Sequence, residues 1–134
     1  MSSSSNISQI EYPQPTINRA AVALRCAPFR LNLFQQMRSR SVPLGQIALQ
    51  FGVDNQYTSK ALSELKVESE LTWLIQVGLL RREVDGQGIT DSFRLTPLGR
   101  QLVAQWEQQP GEIPAPSLQD KIQSAIARWF RLPF

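Results

Sequence analysis

The sequence contains no histidine and only one cysteine, Cys26, among its 134 residues. A disulfide, a zinc site built from cysteine and histidine, and a nucleophile activated by histidine are therefore excluded within one chain. The eleven acidic residues are scattered, and no glycine-rich phosphate loop accompanies them. We therefore expect that the protein is not an enzyme and that it needs neither a cofactor nor a metal.

Long apolar runs are also missing. No stretch reaches the roughly 18 to 20 apolar residues that a membrane-spanning helix needs. The start of the chain, MSSSSNISQIEYPQP, lacks the basic and apolar regions of a signal peptide. We therefore expect a single domain located in the cytoplasm.

Charge is distributed unevenly along the chain. Residues 17–53 carry five arginines and no acid, whereas residues 54–78 carry two lysines against four acids. The net charge of the whole chain is +3, which is a mild bias toward anionic partners.

The first part of the chain divides into an arm and the start of a domain. Residues 1–15 are rich in serine and proline without an apolar period, which predicts a disordered arm. Thr16 is a candidate cap for a first helix, and the domain is expected over residues 16–109. Pro28 suits the first turn of a second helix, which we expect to reach about Ser39.

The segment SVPLGQIALQFGV predicts a helix that ends at a glycine. Pro43 suits the first turn of this helix, and Gly52 favours its end because glycine accepts the left-handed conformation. Four apolar residues fall on one face of the predicted helix: Leu44, Ile47, Ala48 and Phe51.

The longer segment PLGQIALQFGVDNQYTSKAL resembles the helix-turn-helix of bacterial regulators. The resemblance places a small residue, Ala48, in the middle of the first helix and the turn at Gly52 and Val53. Asp54 or Asn55 can cap the second helix.

The segment LIQVGLLRREVDGQGITDSFRLTPLGRQLV resembles the wing of winged-helix regulators, broadly MarR-like or PadR-like. LLRREV and ITDSFRLT have the pattern of strands, and DGQG suits the turn between them. Thr96 and Pro97 then predict the start of a helix. The resemblance covers roughly residues 29 to 108 and implies an α+β, mostly α, winged helix-turn-helix with a two-stranded wing.

Residues 54–77 are longer than the single helix that a compact winged helix needs at this point. Their apolar residues form two clusters that lie about 120° apart on a helical wheel. The stretch is either one long helix that serves two surfaces or two helices separated near residues 66–69, and we expect the break or kink.

The end of the chain predicts a linker followed by an amphipathic helix. Residues 110–117 are rich in proline. Residues 118–134 predict a C-terminal helix with this apolar stripe: Leu118, Ile122, Ala125, Ile126, Trp129 and Phe130. The stripe must be covered by the chain's own domain or a second copy, by an anionic membrane surface, or by another protein. We expect a homodimer.

The resemblance also implies which residues contact DNA. In a helix-turn-helix the second helix enters the major groove, where polar residues face the bases and cations hold the phosphates. The implied contacts around that helix are Gln46, Asn55, Gln56, Thr58, Ser59, Lys60 and Ser63. The wing adds Arg81, Arg82, Gln87 and Arg94.

The function expected from these features is sequence-specific binding of double-stranded DNA by a homodimeric transcriptional regulator. The alternative is a winged-helix protein-interaction or adaptor module, associated with a membrane through its C-terminal helix. This alternative is favoured by residues 54–65, which contain one lysine and no arginine, although arginine makes the commonest specific contact to guanine. The fold alone does not decide between them.

Overall fold

The structure is a computed structural model that describes residues 11–108 and 116–130. It is an α+β fold, mostly helical, with one small antiparallel sheet. The elements in chain order are α1 (Gln14–Cys26), α2 (Leu31–Ser39), β1 (Val42–Pro43), α3 (Leu44–Ile47), α4 (Leu49–Asp54), α5 (Glu64–Gln76), β2 (Leu80–Asp85), β3 (Gly88–Leu95), α6 (Pro97–Glu107) and α7 (Leu118–Phe130).

The first two helices begin at other residues than the sequence predicts. Helix α1 begins at Gln14 with Pro13 in the cap position, so the prediction that Thr16 caps it is wrong. Helix α2 begins at Leu31, because Arg30 is still in an extended conformation. The predicted disordered arm of residues 1–15 is wrong at Gln14 and Pro15, which belong to α1, and its residues 1–10 lie outside the described part. Residues 110–115 of the predicted linker also lie outside the described part.

The predicted helix from Pro43 to Gly52 is interrupted at Ala48. The backbone of Ala48 is extended (φ −80°, ψ 158°), and Leu49 adopts a positive φ of 60°. The break directs Phe51 outward, so that 60% of this side chain is exposed. The predicted common face is therefore wrong at Phe51, although Ile47 and Ala48 are buried.

Gly52 lies inside α4 and does not end it. A Cβ at this position would lie 1.9 Å from the carbonyl oxygen of Ile47, so only glycine allows the two backbone segments to approach each other. The backbone N–H groups of Tyr57 and Thr58 both donate to the Gly52 carbonyl, at 2.7 and 3.2 Å. The glycine is needed for close packing rather than for a left-handed conformation.

Residues 55–63 form no helix, so both predictions for residues 54–77 are wrong. Backbone hydrogen bonds hold this segment against the preceding helices, including one of 2.7 Å from the Leu49 N–H to the Leu62 carbonyl. Helix α5 begins only at Glu64, where the Ser63 hydroxyl accepts a hydrogen bond from the Lys66 N–H at 3.0 Å. The 55–63 segment is therefore a long turn between two helices.

The sheet has three strands in the order β1-β3-β2. The predicted hairpin is present as β2 and β3, with a register shift between Arg82 and Val84. The third strand is β1, in which Val42 pairs with Phe93 and Pro43 pairs with Ser92. The sheet therefore has one strand more than the sequence predicts. Pro43 lies in the edge strand β1, where a missing N–H is tolerated.

Helix α6 begins where the sequence predicts. The Thr96 hydroxyl accepts a hydrogen bond of 3.1 Å from the Gly99 N–H. It donates to the Gly78 carbonyl, and the Leu79 carbonyl lies 3.1 Å away. The predicted apolar stripe of α6 is buried: Leu98, Leu102, Val103 and Trp106. It packs on a core to which α2 contributes Leu33, Phe34 and Met37.

Helix α7 packs mainly on α1. Neither α7 nor any other helix in the described ranges is long and apolar enough to cross a bilayer.

Candidate functional site

The polar residues predicted to contact DNA from a helix lie instead on the turn between α4 and α5. The side chain of Asn55 is exposed and donates a hydrogen bond of 3.0 Å to the carbonyl of Gln46. Gln56 is exposed and has a positive φ of 63°. These residues are close together, but they are held by backbone contacts in a turn rather than along one helical face.

The remaining candidates of this turn differ in accessibility. Thr58 is only 1% exposed, so its hydroxyl cannot reach a phosphate or a base, and this prediction is wrong. The hydroxyl of Ser63 is used as the cap of α5. Ser59 and Lys60 are exposed.

Two of the predicted arginines in the hairpin face one carboxylate. Arg81 lies 3.8 Å and Arg94 lies 3.4 Å from the side-chain oxygens of Glu83. A cation that is paired with a carboxylate attracts a phosphate less than an isolated one does. The sequence could not show this pairing, because it depends on the register of β2 and β3.

Arg82 bridges the hairpin and helix α5. Its guanidinium lies 3.2 Å from the Asp91 carboxylate and 3.9 Å from the Glu68 carboxylate, and it stacks over the Phe93 ring at 4.8 Å. Gln87, at the tip of the hairpin, is exposed, and its backbone N–H donates to Asp85 at 2.8 Å. The hairpin therefore presents mixed charge rather than a basic surface.

The exposed face of α5 carries acidic and apolar side chains together with one lysine, Lys66. Glu64 and Glu68 are exposed on it, and Leu65 is 78% exposed. The tip of the hairpin adds two further exposed apolar side chains, Val84 and Ile89. This combination suits contact with a protein surface better than contact with a phosphate backbone.

Helix α7 is fastened to the rest of the chain by its polar side. Near its start, both carboxylate oxygens of Asp120 accept hydrogen bonds from Arg25 of α1, at 2.8 and 3.0 Å. Near its end, Arg128 donates to Glu70 of α5, which is 6% exposed and also pairs with Lys66. The sequence does not predict the two contacts of α7, because they join residues that are 95 and 58 positions apart.

The thiol of Cys26 lies beneath the start of α7. Its Sγ donates to the carbonyl of Asp120 at 3.6 Å. Burial, the largest effect, raises the pKa of this thiol, although a hydrogen bond with Ser124 opposes the rise.

The apolar stripe of α7 faces away from the chain. Four of its side chains are at least half exposed: Leu118 (74%), Ile122 (51%), Ile126 (53%) and Trp129 (84%). Ala125 is exposed as well, and the side chain of Phe130 lies outside the described part. Among the described side chains, the stripe is therefore not buried on the chain's own domain.

These features define a mostly helical α+β protein with a three-stranded sheet and an outward-facing amphipathic helix. No group of acidic and cysteine side chains within residues 11–108 and 116–130 is placed to hold a metal ion. The chain belongs to the Npun_F0494-like family, whose model matches residues 10–128. No curated protein and no solved structure matches it.

Proposed function

We propose that this chain is a winged-helix protein-interaction module that associates with a second copy of itself through the outward face of α7. The observation that carries this proposal is the orientation of α7, whose polar side is fastened inward while Leu118, Ile122, Ile126 and Trp129 face solvent. An apolar stripe of this size on an exposed surface marks an interaction site.

The winged-helix part of the proposal is supported by the order of the elements. A helical unit (α2, α4 and α5) is followed by a β-hairpin, and the third strand, β1, pairs with β3 of that hairpin. In the proposed winged helix, α5 would take the place of the DNA-contacting helix, and β2 and β3 would form the wing.

The side chains on these two elements favour a protein partner over DNA. The exposed carboxylates of Glu64 and Glu68 would repel a phosphate backbone. The wing arginines lie beside carboxylates of the chain itself, as Arg82 does beside Asp91 and Glu68.

A second copy is the best-supported occupant of the α7 stripe. Its residues follow each other at intervals of four, four and three positions, which places them along one face of the helix. In an antiparallel pair Leu118 would meet Trp129 of the other copy, and Ile122 would meet Ile126, so the contact is self-complementary. Two such stripes together would bury a surface near the lower limit for a specific protein–protein interface, which is about 1,000 Å² in total. We therefore expect a weak dimer.

An anionic membrane is less well supported as the occupant. Asp120 and Arg128 are each used in ion pairs within the chain, which leaves Lys121 as the charged side chain outside an ion pair in the described part of α7. One cation provides about 1 kcal/mol of attraction to an anionic leaflet.

The test is to measure the molar mass of the full chain by light scattering over a range of concentrations. We expect a dimer at high concentration, and we expect Ile122→Ser combined with Ile126→Ser to give a folded monomer. Leu65→Ser is the control, because it removes an apolar side chain that is even more exposed, but from a different helix, and it should leave the dimer intact. A wild-type chain that stays monomeric at all concentrations, or a double variant that still dimerises, would contradict the proposal.

Sequence-specific DNA binding by a transcriptional regulator is the second candidate, and cations around the turn between α4 and α5 favour it. Tyr57 accepts hydrogen bonds at its hydroxyl from Arg40 (3.0 Å) and at its carbonyl from the Arg30 N–H (2.8 Å). Within the described ranges, Arg40 and Lys60 form no ion pair, and both are exposed. Both cations are therefore accessible to a phosphate backbone that lies along the turn.

DNA binding is tested by fluorescence anisotropy with duplexes selected from a random pool. If it occurs, affinity should fall steeply with salt, and Lys60→Ala should reduce the salt slope by about one. Lys121→Ala is the control and should have no effect, because this lysine lies on α7 and forms no ion pair within the described residues. Equal and weak binding to all duplexes would exclude sequence-specific DNA binding. It would leave the proposed dimer, which light scattering tests, unaffected.

A further inference from the structure

A cavity of about 230 Å³ lies between helices α1, α5 and α7. Two residues of its lining, Asn18 and Gln123, are exposed, which places the opening of the cavity between α1 and α7. The wall behind this opening includes three small aliphatic side chains: Val22, Ala23 and Ala127. The cavity is therefore open to solvent on one side and has an apolar wall on the other.

The polar side chains of the lining already have partners within the chain. Ser124 is 8% exposed and shares a hydrogen bond with the Cys26 thiol. Arg19 already interacts with another group, and Asn18 accepts a hydrogen bond of 2.8 Å from Gln14. A charged ligand in the cavity would therefore compete with contacts that the chain itself makes.

Trp73 of α5 adds a further apolar part to the lining. Its indole Nε1 has less than 1 Å² of accessible surface, so a ligand in the cavity meets the carbon atoms of this ring. No acidic residue is among the described residues that line the cavity, so no carboxylate is present to offset the charge of a cation. These features favour a ligand that is uncharged and apolar.

The volume of the cavity limits the size of the ligand. An apolar cavity of about 150 Å³ accommodates benzene, which has six non-hydrogen atoms. By the same proportion, about 230 Å³ accommodates about eight or nine such atoms.

We propose that this cavity binds a small uncharged apolar molecule, which packs against Val22, Ala23, Ala127 and the Trp73 ring. Binding is driven by the hydrophobic effect, because the wall of the cavity and the ligand both lose apolar surface to water. The bound molecule adds to the packing of α7, because the lining comes from α1, α5 and α7. The site does not depend on self-association, since the outward stripe of α7 lies outside the lining.

The probe is ethylbenzene, which has eight non-hydrogen atoms, added to the full chain with ¹³C-labelled methyl groups. The ring current of ethylbenzene should shift the methyl signals of Val22, Ala23 and Ala127. These shifts should saturate together and give one dissociation constant. The methyl signals of Val84, which lies on the hairpin, should stay in place.

Two charged probes of similar size test whether the ligand is uncharged. Benzylammonium has as many non-hydrogen atoms as ethylbenzene and is a cation, and benzoate has one more and is an anion. Each should bind at least about tenfold more weakly than ethylbenzene, because a charge that leaves water without a counter-charge costs free energy.

A substitution within the lining tests the location of the site. Ala127→Leu fills part of the cavity and should weaken ethylbenzene by at least about tenfold. Ala61→Leu is the matched control, because it makes the same change at an exposed position between α4 and α5, and it should leave the affinity unchanged. If the Ala127 variant does not fold, the methyl shifts and the three probes on the unchanged chain still test the proposal.

Three results would overturn the proposal. Methyl signals of Val22, Ala23 and Ala127 that do not move in a solution saturated with ethylbenzene would mean that the cavity does not take an apolar ligand. Benzoate or benzylammonium that binds as tightly as ethylbenzene would mean that the site does not select an uncharged molecule. An unchanged affinity in a folded Ala127→Leu variant would place the bound ethylbenzene elsewhere on the chain.

Discussion

Arg128 of helix α7 donates to both carboxylate oxygens of Glu70 of helix α5, at 3.2 and 3.3 Å. The same guanidinium lies over the Trp73 ring, 5.5 Å from its centre. Glu70 is 6% exposed, so its negative charge is held inside the chain by Arg128 and by Lys66 at 2.8 Å. This contact fastens the end of α7 to the core.

Replacing Glu70 should therefore loosen α7. We expect Glu70→Gln to destabilise the fold by about 1 to 3 kcal/mol, because it breaks a largely buried ion pair and leaves two cations uncompensated. Amide hydrogen exchange in α7 should rise more than exchange in α2. The control is Glu68→Gln, whose carboxylate is half exposed and 3.9 Å from Arg82, and it should change the stability by less than about 0.5 kcal/mol. Equal effects of the two substitutions would show that burial of Glu70 is unimportant.

The contact at the start of α7 should depend on pH. The hydrogen bonds from Arg25, and next from the Ser117 backbone N–H, lower the pKa of Asp120 from 3.8 to about 2. Because the folded pKa is the lower one, the stabilisation is complete above about pH 4 and is lost as the pH falls toward 2.

The measurement for Asp120 is amide exchange in α7, corrected for its intrinsic pH dependence, in the wild type and in Asp120→Asn. Above pH 5 the variant should exchange faster, and the difference should shrink as the pH falls toward 2, where about half of the Asp120 side chains of the wild type are protonated. Other carboxylates, such as Glu107 beside Arg38, titrate in both chains and cancel. A difference that persists unchanged at pH 2 would mean that the charge of Asp120 is not what holds the helix.

Even the smallest side chain at Gly52 should disturb the packing of α4. The added Cβ of Gly52→Ala would lie 1.9 Å from the Ile47 carbonyl oxygen, so backbone must move. We expect a loss of about 1 to 3 kcal/mol in the free energy of unfolding, measured by urea denaturation. Gly45→Ala is the control, because nothing lies within 4 Å of its added Cβ and α3 tolerates alanine, so stability should be unchanged or slightly higher. A fully stable Gly52→Ala variant would contradict the close approach.

The Thr96 hydroxyl should stabilise the fold because it forms hydrogen bonds with two parts of the chain. It caps α6 through the Gly99 N–H and also donates to the Gly78 carbonyl, in the segment between α5 and β2. Thr96→Ala should lower the melting temperature and cost about 1 to 2 kcal/mol. Thr96→Ser keeps the hydroxyl and should recover most of the loss, whereas a serine variant as unstable as the alanine one would assign the effect to the methyl group instead.

The parts of the fold that local chemistry determines could be predicted from the sequence. Thr96 followed by Pro97 predicts the start of α6, and the turn residues DGQG predict the hairpin of β2 and β3. In both cases the decisive atoms are close together in the chain. The short strand β1 was missed because its two residues form a strand only through pairing with Phe93 and Ser92.

The candidate site could be predicted less well, because it depends on contacts between distant residues. Tyr57, Ala61 and Leu65 are spaced as on a helix, yet backbone hydrogen bonds to Gly52 and Leu49 keep residues 55–63 in a turn. The amphipathic pattern of α7 was recognised, but the ion pairs that decide which side faces inward come from Arg25 and Glu70. The spacing of the apolar residues within 118–134 does not show which side of the helix faces inward.

The position of Cys26 makes the docking of α7 chemically measurable without any change to the protein. Its thiol lies against the Asp120 carbonyl, and it is the only cysteine in the chain. Because burial raises the pKa of the thiol, it reacts slowly with an alkylating reagent while α7 is in place. The labelling rate of this natural cysteine therefore reports how closely α7 stays packed against it.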